Sequence, residues 1–234
     1  MSIFRSLKAS LLVTVVSVAT VQVAVCQQNV SAEGIWAQGR DLVLFANLFG
    51  CSAEPHSAQI FASTDAGKSW QKRGPALEGS AFEFLLQEQN DLWIAGEHIS
   101  EGLGYAPFVL IPTGATFEWN MHIIYNGPAS IEQIAKRGKH LSALLRIYRV
   151  ERPNNDGYTV LFESADGGSH WRQPHSAKAV QGAEMSLFQS IPKDTPEWKT
   201  ETSEDGTLAI QHKANAQSSC ETVSTFKGTA GCKE

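Results

Sequence analysis

The chain has 234 residues, 42% apolar and 18% charged, with a formal net charge of −5. That supplies enough apolar chain for a globular core and excludes a disordered polyelectrolyte. The acidic balance argues against nucleic acid or an anionic membrane surface as a partner.

Residues 1–26 differ from the rest: Arg5 and Lys8 precede an apolar run from Leu11 to Val25. A positive start followed by a short apolar run is the pattern of a secretory signal. The best small-residue cleavage site ends at Ala32, and a second ends at Cys26. Residues 1–32 are therefore expected to be a signal peptide, and 33–234 one exported domain, secreted or periplasmic. Membrane contact is expected only through that signal, if it stays uncleaved. Cleavage at Ala32 removes Cys26 and leaves Cys51, Cys220 and Cys232 as disulfide candidates. Cys220 with Cys232 would clamp the C-terminal end, whereas Cys51 with Cys220 would tie the first part of the chain to the last. The spacing chooses neither pairing and does not resemble a zinc site.

The next elements are short strands. In the first unit they are expected at 34–37, 42–47, 58–63 and 69–72. In the second they fall at 82–87, 92–98, 107–111 and 117–121, and in the third at 131–136, 141–148, 158–164 and 170–172. Val, Ile, Leu, Phe and Thr in these runs, with Gly, Asn and Asp at the joins, are strand-and-turn chemistry. No stretch keeps a helical period. A fourth unit is expected to have strands at 185–188, 207–211 and 222–226. The polar stretch 191–205 then reads as an exposed insertion, with Trp198 a contact surface or a loop anchor. Trp93, in an apolar run, reads as core.

The units repeat. Leu42, Leu92 and Leu141 are 50 and 49 residues apart, and Trp70, Trp119 and Trp171 are 49 and 52 apart. Two of these tryptophans end the same eight-residue pattern, S-x-D-x-G-x-x-W. Ser63, Asp65, Gly67 and Trp70 form one copy, and Ser164, Asp166, Gly168 and Trp171 the other. Residues 112–119 hold the intermediate position and keep only the tryptophan. In such a turn Ser and Asp accept backbone N–H groups, Gly supplies a positive φ and the indole covers the hairpin.

This pattern resembles the Asp-box, or BNR repeat, of sialidases and other β-propellers. The resemblance implies an all-β fold: a small propeller of about four blades, each of four antiparallel strands, or an open stack of the same sheets. It gives the boxes a structural role on the face away from the ligand. Ligands are then expected at the opposite, top-face loops, which carry Glu54, His56, Glu101, Tyr105, Glu151, Arg152, Asn154, Asn155 and Asp156, with His98 and Arg149 at their edges.

Sialidase chemistry draws a carboxylate-binding arginine cluster from several blades. Here three of the arginines, Arg146, Arg149 and Arg152, crowd into the third unit, and no catalytic residue carries over. No H-x-x-x-H pair, nucleophile elbow or phosphate loop is present, so neither a metal nor a cofactor is expected. The reading leans away from an enzyme, towards an exported Asp-box protein that binds a protein or glycan partner. The alternatives are a divergent glycoside hydrolase with a top-face carboxylate pair such as Glu101 and Asp156, and a complex-assembly factor.

Overall fold

The computed structural model describes residues 29–49, 55–100, 104–114, 117–148, 157–174, 185–203, 207–215 and 217–226. The first sheet is β1 (Asn29–Gln38), β2 (Asp41–Phe49), β3 (Pro55–Ser63) and β4 (Gln71–Glu78), each antiparallel to the next. The second holds β5 (Ser80–Glu88), β6 (Asp91–Ser100), β7 (Gly104–Pro112) and β8 (Trp119–Ile123). The third is built from β9 (Ala129–Arg137), β10 (His140–Ile147) and β11 (Tyr158–Ser164).

Apolar patterning shows how the sheets stack. In β2, Leu42, Leu44 and Ala46 face one way and Val43 and Phe45 the other, and all are fully buried. In β6, Leu92 and Ile94 pack towards the first sheet, Trp93 and Ala95 towards the third. Both sheets are thus covered on two faces, and their second strands read as continuous apolar runs. In β10 burial alternates: Leu141, Ala143, Leu145 and Ile147 are buried, and the residues between them are partly or fully exposed. That is the pattern of a sheet packed on one face.

The fourth sheet packs on the other side of the first. It contains β14 (Trp198–Thr202), β15 (Leu208–His212) and β16 (Glu221–Phe226). The order is fourth, first, second, third, an all-β propeller-like array with three seams. Among the described residues no apolar cluster joins the third sheet to the fourth.

Between the third and fourth sheets in sequence, the chain crosses the inner edges of the array. There β12 (Ser186–Leu187) pairs with β9, and β13 (Gln189–Ser190) pairs with β5. Pro192 O then accepts the N–H of Ile35 in β1 at 3.0 Å. Phe188 and Ile191 anchor this segment, 6% and 8% exposed. A Cβ on Gly34 would lie 2.3 Å from Ile191, so only glycine admits the crossing.

The expected four-unit, all-strand organisation is present, with differences. Residues 185–188 do not start the fourth sheet; they edge the third. The expected insertion 191–205 contains β14, the first strand of the fourth sheet. Trp198 is core, 3% exposed, rather than a contact surface. Only Trp198 in β14 is fully buried while Lys199 and Glu201 are exposed, so the strand lacks an apolar signature. The last strand of the third unit shrinks to one bridge, Glu163 with Arg172. β1 starts at Asn29, so cleavage after Ala32 would shorten it. The loops after β2 and β6 are shorter than expected, because both strands run further.

Candidate functional site

The two intact turns are near copies. Gly67 N donates to Ser63 Oγ at 2.9 Å, and Gly168 N to Ser164 Oγ at 2.8 Å. Each serine hydroxyl donates to its aspartate at 2.8 Å. Each indole N–H donates back to its own glycine carbonyl, at 3.0 Å for Trp70 and 2.9 Å for Trp171. A second clamp ties each turn to the hairpin between the first two strands of its sheet: Ala66 N to Arg40 O at 3.0 Å, Gly167 N to Lys139 O at 2.8 Å. The Ser69 hydroxyl, the Ser69 N–H and the Ser63 hydroxyl together lower Asp65 to about 2. The ring of His170 holds Asp166 well below the usual carboxylate range, helped by its N–H and by Ser164.

These turns also seal seams. A Cβ on Gly67 would touch Leu42 and Trp198 at 3.3 Å, and one on Gly168 would meet Ile111 at 3.0 Å. With φ of +80° and +90°, both glycines adopt a backbone that other residues resist, pressed against the neighbouring sheet.

The degenerate turn behaves differently. Trp119 does not fold back on its own hairpin; its Nε1 donates to Leu92 O at 2.7 Å. Phe117, at φ +59°, stacks on Trp119 with ring centres 6.5 Å apart. The seam between the first and second sheets stays open on both sides of this pair. One cavity of about 460 Å³ lies on the turn side, lined by Trp36, Gln38, Asp41, Asn90, Asp91 and Glu118 besides the aromatic pair. A second, also about 460 Å³, lies towards the outer strands, where Arg73, Leu77, Phe82 and Asn120 meet the same two rings. The first combines aromatic faces with carboxylates and amides; the second is mostly apolar, with the Arg73 guanidinium and the Glu118 carboxylate. Neither was foreseen, because both are formed by side chains from two sheets.

At the other end of the second sheet a carboxylate pair was also missed. Glu83 sits at a bulge of β5 opposite Gly96, where any Cβ would clash with Ala81 O. Burial, with the charge of Glu97 added, lifts Glu83 to about 7. Burial raises Glu97 too, opposed by the Ile131 N–H it accepts. Of the expected top-face residues, the structure describes the side chains of His98 and Tyr105. His98 Nδ1 shares a 3.0 Å hydrogen bond with the buried Ser80 hydroxyl, and Tyr105 is exposed. Strand alternation sends them to opposite faces of the sheet, His98 towards the first sheet and Tyr105 towards the third, so they form no joint site. Only the backbone of His56, in β3, is described. Glu54, Glu101, Arg149, Glu151, Arg152, Asn154, Asn155 and Asp156 lie outside the described residues, as do Cys51 and Cys232. Cys220 is exposed. Among the described residues no cluster of three metal-ligating side chains occurs.

No protein-family model matches this chain, and no curated protein matches it. Solved structures align with most of its length at low identity. One is a Bombyx mori GH32 beta-fructofuranosidase, at 12% identity and TM-score 0.36, covering 80% of this chain and 43% of that one. Another is the Bacteroides ovatus xyloglucan-locus GH43B, at 10% identity and TM-score 0.33, covering 80% and 37%. A third is an endo-1,4-beta-xylanase from Bacteroides thetaiotaomicron, at 10% identity and TM-score 0.29, covering 89% and 100%. The chain spans less than half the length of the first two. Likenesses of this size carry no residue role to this chain.

Proposed function

We propose that this chain is an exported, non-catalytic binding protein of the Asp-box type, and that its ligand is a glycan held at the open seam between the first and second sheets. The observation that carries the reading is the cavity beside the stacked Phe117 and Trp119, rimmed by Asp41, Asp91, Gln38 and Asn90. A sugar ring has an apolar C–H face and a rim of hydroxyls. Aromatic faces take the first, carboxylates and amides the second, in a cavity of the size that small ligands use. Where the other turns fill their seams with glycine and tryptophan, this one leaves room.

The test is binding of the full chain to an oligosaccharide array, followed by calorimetry on the hits. Trp119→Ala is expected to weaken binding about tenfold or more, the loss of one good aromatic contact. Binding that survives Trp119→Ala unchanged would sink the seam assignment.

A second reading, glycoside hydrolysis, is favoured by the coupled carboxyls Glu83 and Glu97. An acid raised to about 7 keeps its proton in about half of the molecules at neutral pH and can donate it. The full chain is assayed on fluorogenic glycosides. Turnover abolished in Glu83→Gln supports this reading; no turnover leaves the binding reading in place. The pair also has a stability signature. A carboxyl raised on folding favours the fold below its unfolded pKa, and that contribution is lost as pH rises through about 7. Glu83→Gln is therefore expected to flatten the decline in stability between pH 4.5 and 7, seen in melting temperature against pH.

A further inference from the structure

The outer cavity of the open seam contains Arg73, a cation with no ion-pair partner among the described residues. Arg73 is partly buried, and its Nε, fully covered, has no hydrogen-bond partner among the described residues. Its guanidinium instead lies 5.7 Å from the centre of the Phe117 ring. Holding a charged group partly out of water is costly, and an anion arriving at its terminal nitrogens relieves part of that cost.

The position of Arg73 is built. The β3–β4 ladder skips from Ala58 paired with Leu77 to Ile60 paired with Arg73, so residues 74–76 bulge out opposite Gln59. The Gln59 side chain, 1% exposed, is given over to that bulge. Its Nε2 donates to the carbonyls of Ile60 at 3.0 Å, Arg73 at 3.3 Å and Gly74 at 3.4 Å. A buried amide thus fixes the backbone from which Arg73 enters the seam.

We infer that the outer cavity receives an anionic group of the glycan, a carboxylate or a sulfate, against the terminal nitrogens of Arg73, with the sugar ring against Phe117 and Trp119. This rests on the seam being the glycan site and adds the class of glycan: an acidic one. The planar fork of a guanidinium matches the two oxygens of such a group, and its two terminal nitrogens form the end-on side of that fork. The Glu118 carboxylate lines both cavities and repels an anion. Its exposure lets water screen that repulsion.

The experiment is calorimetry of the full chain with three probes: trigalacturonic acid, the same trisaccharide with its carboxyls reduced to alcohols, and a sulfated neutral trisaccharide. One acidic probe is expected to bind at least about tenfold more tightly than the reduced one, the effect of one charge-assisted hydrogen bond. Which acidic probe does so separates carboxylate from sulfate. Arg73→Met is expected to erase that preference, read as the ratio of acidic-probe to reduced-probe affinity, whatever it does to the reduced probe alone. Arg73→Lys restores part of it, as a point charge without the fork. Should Arg73→Met fail to fold, Arg73→Lys against wild type reads the same difference. Equal binding of acidic and reduced probes overturns the inference and leaves the seam glycan site standing. So does a preference that survives both variants. Loss of all three probes' dependence on Trp119 overturns the seam reading itself, and this inference with it.

Discussion

Two kinds of seam run through this molecule. Where the eight-residue turn is intact, its glycine presses on the next sheet, at Trp198 in one case and Ile111 in the other. Where serine, aspartate and glycine have been replaced, at 112–119, two cavities flank the turn and its indole bonds elsewhere. The same repeat position serves as a stopper twice and as the wall of an opening once. On the proposed reading, the copy that has lost its signature is the one that forms the ligand site.

The sharpest way to break a sealed seam is Trp198→Ala. It removes a core ring beneath Gly67, and about 3 to 5 kcal/mol of stability is expected to go, read from urea unfolding. An effect under about 1 kcal/mol would mean that this seam is not sealed as described. Next comes Ser164→Ala. It deletes a buried hydroxyl that serves Gly168 and Asp166, and a loss of about 1 to 2 kcal/mol is expected, with glycan affinity unchanged. The reverse experiment restores the motif in the open seam, with Pro112→Ser, Gly114→Asp and Thr116→Gly together. Oligosaccharide binding is expected to disappear while the free energy of unfolding rises by about 1 kcal/mol, read from urea unfolding. Retained binding would show that the turn does not gate the cavity.

The smallest effect is one of pH. Asp65, lowered on folding from 3.8 to about 2, favours the fold above its unfolded value. That contribution is lost as pH falls through about 2. Asp65→Asn is expected to flatten the stability profile between pH 4 and 2, measured by thermal melts.

How much of this was legible follows from where the information lies. The turns could be read because serine, aspartate, glycine and tryptophan act within eight residues of chain. β2, β6 and β10 could be read because burial writes itself into their apolar pattern. β14 could not, since its buried side is a single tryptophan. The crossing segment escaped because pairings two residues long leave no period. The spacing placed Trp119 in register with the other tryptophans but gave no hint that its N–H goes to Leu92. Arg73 and Phe117 meet only because the first sheet stacks on the second, and nothing near either residue records the other. The Glu83 and Glu97 pair depends on a bulge that brings two strands into an unusual register.

The strand that crosses the inner edges has a consequence for self-association. The first strands of three sheets, β1, β5 and β9, have inward main-chain edges, and the residues from Ser186 to Pro192 bond to all three. Unpaired edges of that kind are templates for strands of other chains. A chain shortened to end before residue 185 would leave them bare, so the expected product is a ladder of linked copies rather than a smaller monomer. Ser186 to Pro192 thus occupy main-chain edges that would otherwise be open to strands of other chains.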